Sequence, residues 1–456
     1  MNAEQDNLKV LLFAFNCAQV PHTTSVIREA ILSIVRDQQK PQPQSQSVVE
    51  PDLIFLSLQE LSTVYDCFLW GNEDESLAPF VDAITHLTGI NDEVYEHVAT
   101  CTAGMTVALL FRRNQSEFIS ISDVRTSVVT LGYFETGLKG VASIRAKVSS
   151  ATSSTEITFV AAHFSANEGY REIRDHNFQD IARKLAFFAD NNVKSPMQDG
   201  TDRDFLYKDG SQVFILGDLN YRVALPPPSD RDNQPTARYS RMPKWVAPQR
   251  SYVEDWLDYD ELSISRNEVG TAFYGFDEAQ VAFPPTYKVD SNRKYVPGRV
   301  PSWCDRVLYL DMFEGGSDIK IEKYTSFPEL HGSDHIPVYA IAKVPLEKPG
   351  ALSEQLVATL LKNSIAASTA IAAQPITSRG VSLDRQGAPT SVRARQIKLQ
   401  NRHIAARTGR VKNMEMLIGG IAYLTVTPKG NGLVLGAVVG LVCAYVLLRT
   451  FAFGIN

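Results

Sequence analysis

Four short segments of this chain end an apolar run in side chains that can move a proton, hold a cation or steady a phosphate. In Ile54-Phe-Leu-Ser-Leu-Gln-Glu60 a nearly continuous apolar stretch delivers a carboxylate. A carboxylate so placed suits a hard cation such as Mg²⁺, which takes one or two protein carboxylates and keeps several waters. Phe159-Val-Ala-Ala-His163 delivers an imidazole in the same way. Val213-Phe-Ile-Leu-Gly-Asp-Leu-Asn-Tyr-Arg222 carries Asp218 and Asn220, which share one side of an extended segment because alternate side chains do. An acidic base beside a neutral amide suits a water held against phosphate, since the amide adds no negative charge. The fourth is a pair, Val300-Pro-Ser-Trp-Cys-Asp-Arg-Val-Leu-Tyr309 and Gly332-Ser-Asp-His335. Where Asp305 and His335 meet, the carboxylate fixes the imidazole tautomer and favours its charged form, a donor to charge developing on phosphate oxygens. Each segment also has an ordinary reading: a solvent-facing strand-end Glu, a structural His, and Asp and Asn as turn formers.

Positioning such groups needs strands. Leu8–Phe15, Leu53–Leu58, Thr106–Phe111, Ile157–Ala162, Val213–Leu216, Arg306–Leu310 and Val338–Val344 are apolar runs without clear alternation, the pattern of strands buried on both faces. Thr24 is placed to cap a helix running to about Arg36, and Phe178–Phe188 has apolar residues at helical spacing. Strands and helices mixed in this way predict an α/β domain of layered sheets. The chain has 456 residues, 44% of them hydrophobic, enough for one large domain with appendages. A formal net charge of -6 argues against a protein that coats nucleic acid. The five cysteines are widely spaced and form no CxxC pair, so neither a disulfide framework nor a zinc site is expected, and a reduced, cytosol-facing compartment fits. No run of signal-peptide type precedes the first strand.

The order strand-Glu, strand-His, Gly-Asp-x-Asn, strand-Asp and Ser-Asp-His resembles the fold of deoxyribonuclease I, apurinic endonucleases and inositol polyphosphate 5-phosphatases. Two longer strings, Gly217-Asp-Leu-Asn-Tyr-Arg222 and Arg299-Val-Pro-Ser-Trp-Cys-Asp-Arg-Val-Leu-Tyr309, look like the two signature motifs of the inositol polyphosphate 5-phosphatases. Pro285-Thr-Tyr-Lys288 is similar to that family's 4-phosphate segment. Leu138-Lys139-Gly140 stands where the family has Asn-Lys-Gly, Phe15 where it often has Trp, and Ile336 where it often has a basic residue. The resemblance covers about Leu8 to Val344 and implies a layered sandwich of two β-sheets flanked by helices. It also implies a Mg²⁺-dependent phosphatase. Glu60, with Asn16 in support, holds the metal; Asp218 deprotonates the attacking water and Asn220 keeps it in line. His163 and His335 donate to the phosphate, with Asp305 orienting His335. Tyr287, Lys288 and Arg299 meet the 4-phosphate, Lys139 lies on the substrate loop, and Arg306 and Arg222 support the signature loops. The rival readings are a nuclease of the same fold and an inactive lipid-binding scaffold. The Trp-Cys-Asp-Arg string opposes the first, and the full set of acid, amide and imidazole groups opposes the second.

The catalytic domain is expected over residues 1–345, followed by an Ala/Ser/Arg-rich linker, mostly disordered, over 346–413. Residues 414–456 read as a membrane anchor. Leu433–Leu448 lacks charge and as a helix is about 24 Å long. Extended over about 432–453, with Arg449 snorkelling, it reaches the roughly 30 Å of a hydrocarbon core. Basic residues from Arg393 to Lys412, with no acidic residue among them, lie on its N-terminal side, as the positive-inside bias asks of a cytosolic flank. A second apolar run, Met416–Val426, is too short to span. With this tail the chain is similar to fungal tail-anchored phosphatidylinositol 4,5-bisphosphate 5-phosphatases of the endoplasmic reticulum. The expected partner is a phosphoinositide lipid in that membrane, and neither nucleic acid nor an obligate protein partner is expected.

Overall fold

The computed structural model describes residues 7–37, 50–70, 73–88, 93–114, 119–132, 135–188, 203–208, 210–224, 257–269, 271–313, 319–346, 411, 413–431 and 433. The Pro/Gln-rich stretch Gln38–Gln46, expected from its composition to be a loop, nearly all of the 346–413 linker and all but one residue of the expected 432–453 span lie outside them. Among the described residues no helix is long and apolar enough to cross a membrane.

Two mixed sheets make the core. The first, of six strands, runs in the order β12 (Lys320–Ser326), β13 (Val338–Pro345), β1 (Asn7–Asn16), β2 (Leu53–Gln59), β4 (Thr106–Arg113) and β3 (Tyr95–Ala103). The second has five: β11 (Asp305–Asp311), β10 (Ser211–Asp218), β7 (Ser154–His163), β6 (Gly140–Ser149) and β5 (Ser120–Thr130). All seven expected strands form.

Lack of alternation in the apolar runs has a direct cause. Along β1, Leu8, Val10, Leu12 and Ala14 enter the layer between the sheets, while Leu11, Phe13 and Phe15 enter a second core under the helices. There α1 (Thr24–Asp37) contributes Ile27, Ala30, Ile31, Ile34 and Val35, the i, i+3, i+4, i+7 stripe of a docked helix, and α2 (Glu73–Thr85) adds Leu77, Phe80, Ala83 and Ile84. Between the sheets Phe55 stacks on Phe159 at 5.0 Å, and Phe159 on Phe214 at 5.8 Å.

The second expected helix is displaced. It is α3 (Arg171–Lys184), and Ala186–Phe188 is instead a short strand, β8, paired with β9 (Arg203–Phe205). The first turns of α3 bury Arg174, Asp175 and Asn177, so its inward face is not apolar and carries no periodic signal. The strands absent from the sequence reading have similar reasons. β3, β5 and β12 are edges with largely polar or exposed residues, while β6 is interrupted by the buried Arg145.

Register brings the strand ends together. Asn16 pairs with Gln59 across the parallel β1–β2 ladder, and Asp218 pairs with both His163 on β7 and Asp305 on β11. Gly140 opposes His163 on β6. The acid, amide and imidazole groups therefore share one rim.

Candidate active site

The backbone at this rim is unusual at three points. Gly217 has φ +138°, and a Cβ there would lie 2.2 Å from the Ala162 carbonyl, 2.8 Å from Gln59 Nε2 and 2.9 Å from Ser57 Oγ. Only glycine fits, and it lets Asp218 turn inward beside the neighbouring sheet. Glu60 (φ +50°) and Asn220 (φ +57°) are in the left-handed region, a conformation that costs a non-glycine residue about 1–3 kcal/mol and that clusters at functional sites. The Glu60 turn is held by the Glu60 N–H donating to the Met105 carbonyl at 2.9 Å and by the Gln19 N–H donating to the Glu60 carbonyl at 2.7 Å.

Asp218 is at the centre. Its Oδ2 accepts from Asn16 Nδ2 at 3.0 Å and from Asn220 Nδ2 at 2.9 Å, and its Oδ1 accepts from the Asn220 N–H at 3.0 Å. His163 Nε2 lies 3.5 Å and His335 Nε2 3.9 Å from the same Oδ2. His163 Nε2 is also 3.5 Å from Glu60 Oε1. Glu60, Asp218, His163 and His335 thus form one cluster, with Asn16 and Asn220 bonded to its central carboxylate. Burial pushes the Asp218 carboxyl above the usual carboxylate range; His335, Lys139 and Arg222 oppose the shift and Asp305 adds to it.

The two imidazoles differ in charge. At His335 burial opposes protonation, but the Asp305 and Asp218 carboxylates prevail and raise its pKa to about 9. Its Nδ1–H donates to Asp305 Oδ2 at 2.9 Å, and Thr286 Oγ1 donates to the same oxygen at 2.7 Å. At His163 burial and the nearby charges of Lys139 and His335 push the pKa well below its ordinary value. His163 is neutral, and its Nε2 meets the Lys139 ammonium. The two imidazoles expected to donate to phosphate are thus unlike: His335 is the cationic donor, and Lys139 presents the positive charge on the His163 side. Lys139 Nζ also lies 3.5 Å from Glu60 Oε1.

Asp218, Asp305 and His335 have donor atoms within 4.8 Å of one another, yet a charged His335 offers no lone pair to a metal. The hard oxygens for a cation are on the other side. Glu60 has a partly exposed carboxylate, and Asn16, on the adjacent strand end, presents an amide oxygen that accepts from the Ala18 N–H at 3.0 Å. One carboxylate, one amide oxygen and access for water fit Mg²⁺.

The remaining expected residues lie at graded distance. The Tyr287 ring packs 4.5 Å from the His335 ring, and the Arg222 guanidinium covers its other neighbourhood at 4.5 Å. Arg222 Nε donates to the Asn220 carbonyl at 3.0 Å and its Nη2 donates to Asn220 Oδ1, so it braces the amide. Lys288 Nζ donates to Asp334 Oδ2 at 2.7 Å. Arg299 is exposed, 4.0 Å from Glu168. Arg306 does not reach the rim, because Asp305 points to the site and its β-strand neighbour must point away. It is fully buried, donating to Asp260 at 2.8 Å and to both Glu278 oxygens at 2.7 Å. Arg306 therefore braces the interior behind the signature loops and does not meet substrate. Arg306→Ala is expected to cost about 3–5 kcal/mol, since it leaves the buried Asp260 carboxylate without its cation and Glu278 with Arg266 alone; chemical denaturation of the variant checks this.

Sequence reasoning missed the supports. Thr286 shares Asp305 with His335, and Glu261 Oε2 accepts from the Arg222 N–H at 3.0 Å and from Arg174. Asp175 accepts from Tyr221, Ser265 and Thr271 at 2.6–3.0 Å. These partners are up to 96 positions apart, and no local pattern marks them.

Two sheets packed face to face, with carboxylate, amide and imidazole groups gathered at one rim, are the architecture of the endonuclease/exonuclease/phosphatase class. The chain belongs to the endonuclease/exonuclease/phosphatase family 2, whose model matches residues 13–341. It is similar to a type I inositol polyphosphate 5-phosphatase of Arabidopsis thaliana, 32% identical over 248 residues that make up 50% of this chain and 38% of that protein. It is also 32% identical to a synaptojanin of Caenorhabditis elegans over 219 residues, 47% of this chain and 16% of that one. The chain spans well under half the length of these curated relatives. Among solved structures it resembles the inositol polyphosphate 5-phosphatase domain of a synaptojanin in complex with inositol (1,4)-bisphosphate and calcium. That likeness has a TM-score of 0.53 at 21% identity and covers 81% of this chain and 93% of that one. At this identity it is a likeness of fold.

Proposed function

We propose that the chain is a Mg²⁺-dependent phosphoinositide 5-phosphatase that converts phosphatidylinositol 4,5-bisphosphate to phosphatidylinositol 4-phosphate. The observation that carries this reading is Asp218 with a raised pKa placed 3.9 Å from a charged His335. A base and a fixed cationic donor on one phosphoryl group are what ester hydrolysis needs. The 5-phosphatase relatives from plant and worm support the substrate class, and the calcium and inositol bisphosphate bound to the synaptojanin domain support a divalent ion beside an inositol phosphate.

In this reading a water hydrogen-bonded to Asp218 attacks phosphorus and gives its proton to the carboxylate. The bond between phosphorus and the inositol oxygen breaks, that oxygen takes a proton from water at the open mouth, and Asp218 returns its own to solvent, so inorganic phosphate and the inositol hydroxyl leave. Asn220 is locked by Asp218, Phe164 and Arg222, which fixes the angle of approach. His335 and Lys139 donate to the oxygens on which charge grows, each such preorganised donor contributing roughly 3–4 kcal/mol. Glu60 and Asn16 would hold Mg²⁺, which supplies Lewis-acid stabilisation of the phosphoryl oxygen. Tyr287, Lys288 and Arg299 line the approach on the His335 side, where a 4-phosphate would be met.

Glu60→Gln is expected to raise the Mg²⁺ concentration needed for half-maximal activity by at least about 10- to 100-fold, the loss seen when even an outer-shell partner is removed. Magnesium titration of activity, and calorimetry of Mg²⁺ binding without substrate, measure it. For location, we read the uncharged Leu433–Leu448 run and its basic N-terminal flank as an anchor in the endoplasmic reticulum membrane, with the catalytic domain in the cytosol. The deciding experiment is phosphate release by the full chain in detergent on 5-phosphorylated phosphoinositides, soluble inositol phosphates and abasic DNA, with Mg²⁺ or chelator. Cleavage of the DNA with no release from the inositides would overturn the reading.

A further inference from the structure

The helix over residues 413–426 is turned inside out relative to a helix that serves a soluble domain. Its inward positions, four apart, are Glu415, Gly419 and Tyr423. The Gly137 N–H donates to Glu415 Oε1 at 2.8 Å, and the Tyr423 ring meets the Tyr65 ring at 6.0 Å. A Cβ on Gly419 would lie 3.0 Å from Phe68 Cβ and Leu69 Cγ, so the glycine lets the helix seat closely. Its outward positions are Met416, Leu417, Ile421 and Leu424, which are 51%, 56%, 54% and 37% exposed. Residues spaced i, i+4, i+7 lie on one helical face. A continuous stripe of large apolar side chains on the surface marks a binding surface.

Several observations on this chain select a lipid surface as its occupant. The stripe leads in sequence into the uncharged Leu433–Leu448 run, and seven basic residues with no acidic one lie between Arg393 and Lys412 just before it. Basic residues next to an apolar helix face are the pattern of binding to anionic headgroups. The docking also joins the helix to the rim. Glu415 holds Gly137, whose carbonyl accepts from the Met105 N–H at 2.8 Å, and the Met105 carbonyl accepts from the Glu60 N–H at 2.9 Å. Gly137 itself is two residues from Lys139.

We propose that the 413–426 helix is an interfacial platform that seats Met416, Leu417, Ile421 and Leu424 in the headgroup–acyl boundary and holds the Glu60–Lys139 side of the active-site mouth against the bilayer. The proposal rests on the membrane reading above and adds to it a fixed orientation. A tether alone raises local concentration; a docked platform also sets which way the mouth faces.

The test uses the full chain reconstituted in vesicles of phosphatidylcholine and phosphatidylserine that carry the lipid substrate. A fluorophore is placed at L417C or I421C with Cys67 and Cys443 replaced by serine, at A151C in the exposed turn between β6 and β7, the end of the sheet away from the Gly140–His163 rim, or at native Cys443 as reporter of the tail. With nitroxides placed either near the headgroups or near the bilayer centre, positions 417 and 421 should be quenched by the first, Cys443 by the second, and 151 by neither. Quenching at Cys443 without quenching at 417 and 421 sinks the platform and leaves the anchor standing; quenching at none of them sinks both. A fluorophore covered by a second copy or another protein also stays unquenched, and so counts against the proposal. In the second arm, L417E/I421E/L424E should lower phosphate release from vesicle lipid by about tenfold or more, while release from soluble inositol trisphosphate stays within about twofold. G419L, which forces the helix off Phe68 and Leu69, should do the same. Equal effects on both substrates, or none on the lipid, overturn the proposal. Wild-type chain inert on both substrates would refute the enzymatic reading, and the quenching arm would still decide the helix.

Discussion

Asp218→Asn is expected to lower phosphate release by about 10²–10⁴-fold, or roughly 3–5 kcal/mol in the barrier, the usual contribution of one general base. The fold should survive. Asp218 is buried, and burial already opposes its charge, so an uncharged side chain of the same shape relieves that penalty. A smaller cost remains, because the carboxylate accepts from Asn16 and from both the amide and the N–H of Asn220. An asparagine amide must turn its own donor towards one of these, at about 1–3 kcal/mol. Thermal melting should therefore show a modest fall and a single transition, while the initial rate collapses. Near wild-type turnover in this variant would sink the assignment of the base.

Asp305→Asn has the next largest expected effect, and it is read from the pH profile. In the wild type His335 must be charged to donate to the phosphate, so activity should fall as pH rises through about 9. Asp305 is the largest contributor to that raised value, acting against burial. Without its charge, burial meets only the remaining carboxylates, and the alkaline limb should move down towards neutrality. The acid limb, set by Asp218, moves down as well, because the Asp305 charge also helps to raise that carboxyl. The bell therefore shifts to lower pH, and above neutrality activity falls by about 10²–10³-fold, the cost of one lost preorganised donor. Stability carries the same sign. A histidine whose pKa rises on folding stabilises fully below about 6.5 and loses that contribution as pH rises through about 9. Denaturant midpoints across this window should slope in the wild type and flatten in Asp305→Asn. An alkaline limb unmoved by the substitution would show that Asp305 does not govern His335.

The sequence by itself determined the central strands and the groups at their ends. Val213–Leu216 is apolar throughout, and Leu53–Leu58 is broken only by Ser57, because both of their faces are buried, and that is a property of neighbouring residues in the chain. A strand so marked fixes where its ends fall, which is why Glu60, His163 and Asp218 at the ends of their strands and Asp305 at the start of its own could be named before their meeting place was known. Edge strands such as β5 lacked the signal because water covers part of their surface. The start of α3 lacked it because its buried face is Arg174, Asp175 and Asn177.

The tertiary structure alone decided charge and direction. His163 and His335 are the same residue type at the same rim, yet one is neutral beside Lys139 and the other charged beside Asp305. Arg306, adjacent to a site carboxylate in sequence, serves Asp260 and Glu278 in the interior. Protonation and orientation depend on fields that fall off over a few ångströms, and the groups that set them come from distant parts of the chain: Asn16 meets Asp218 across 202 positions, and Lys139 meets His163 across 24. Only folding creates those neighbours.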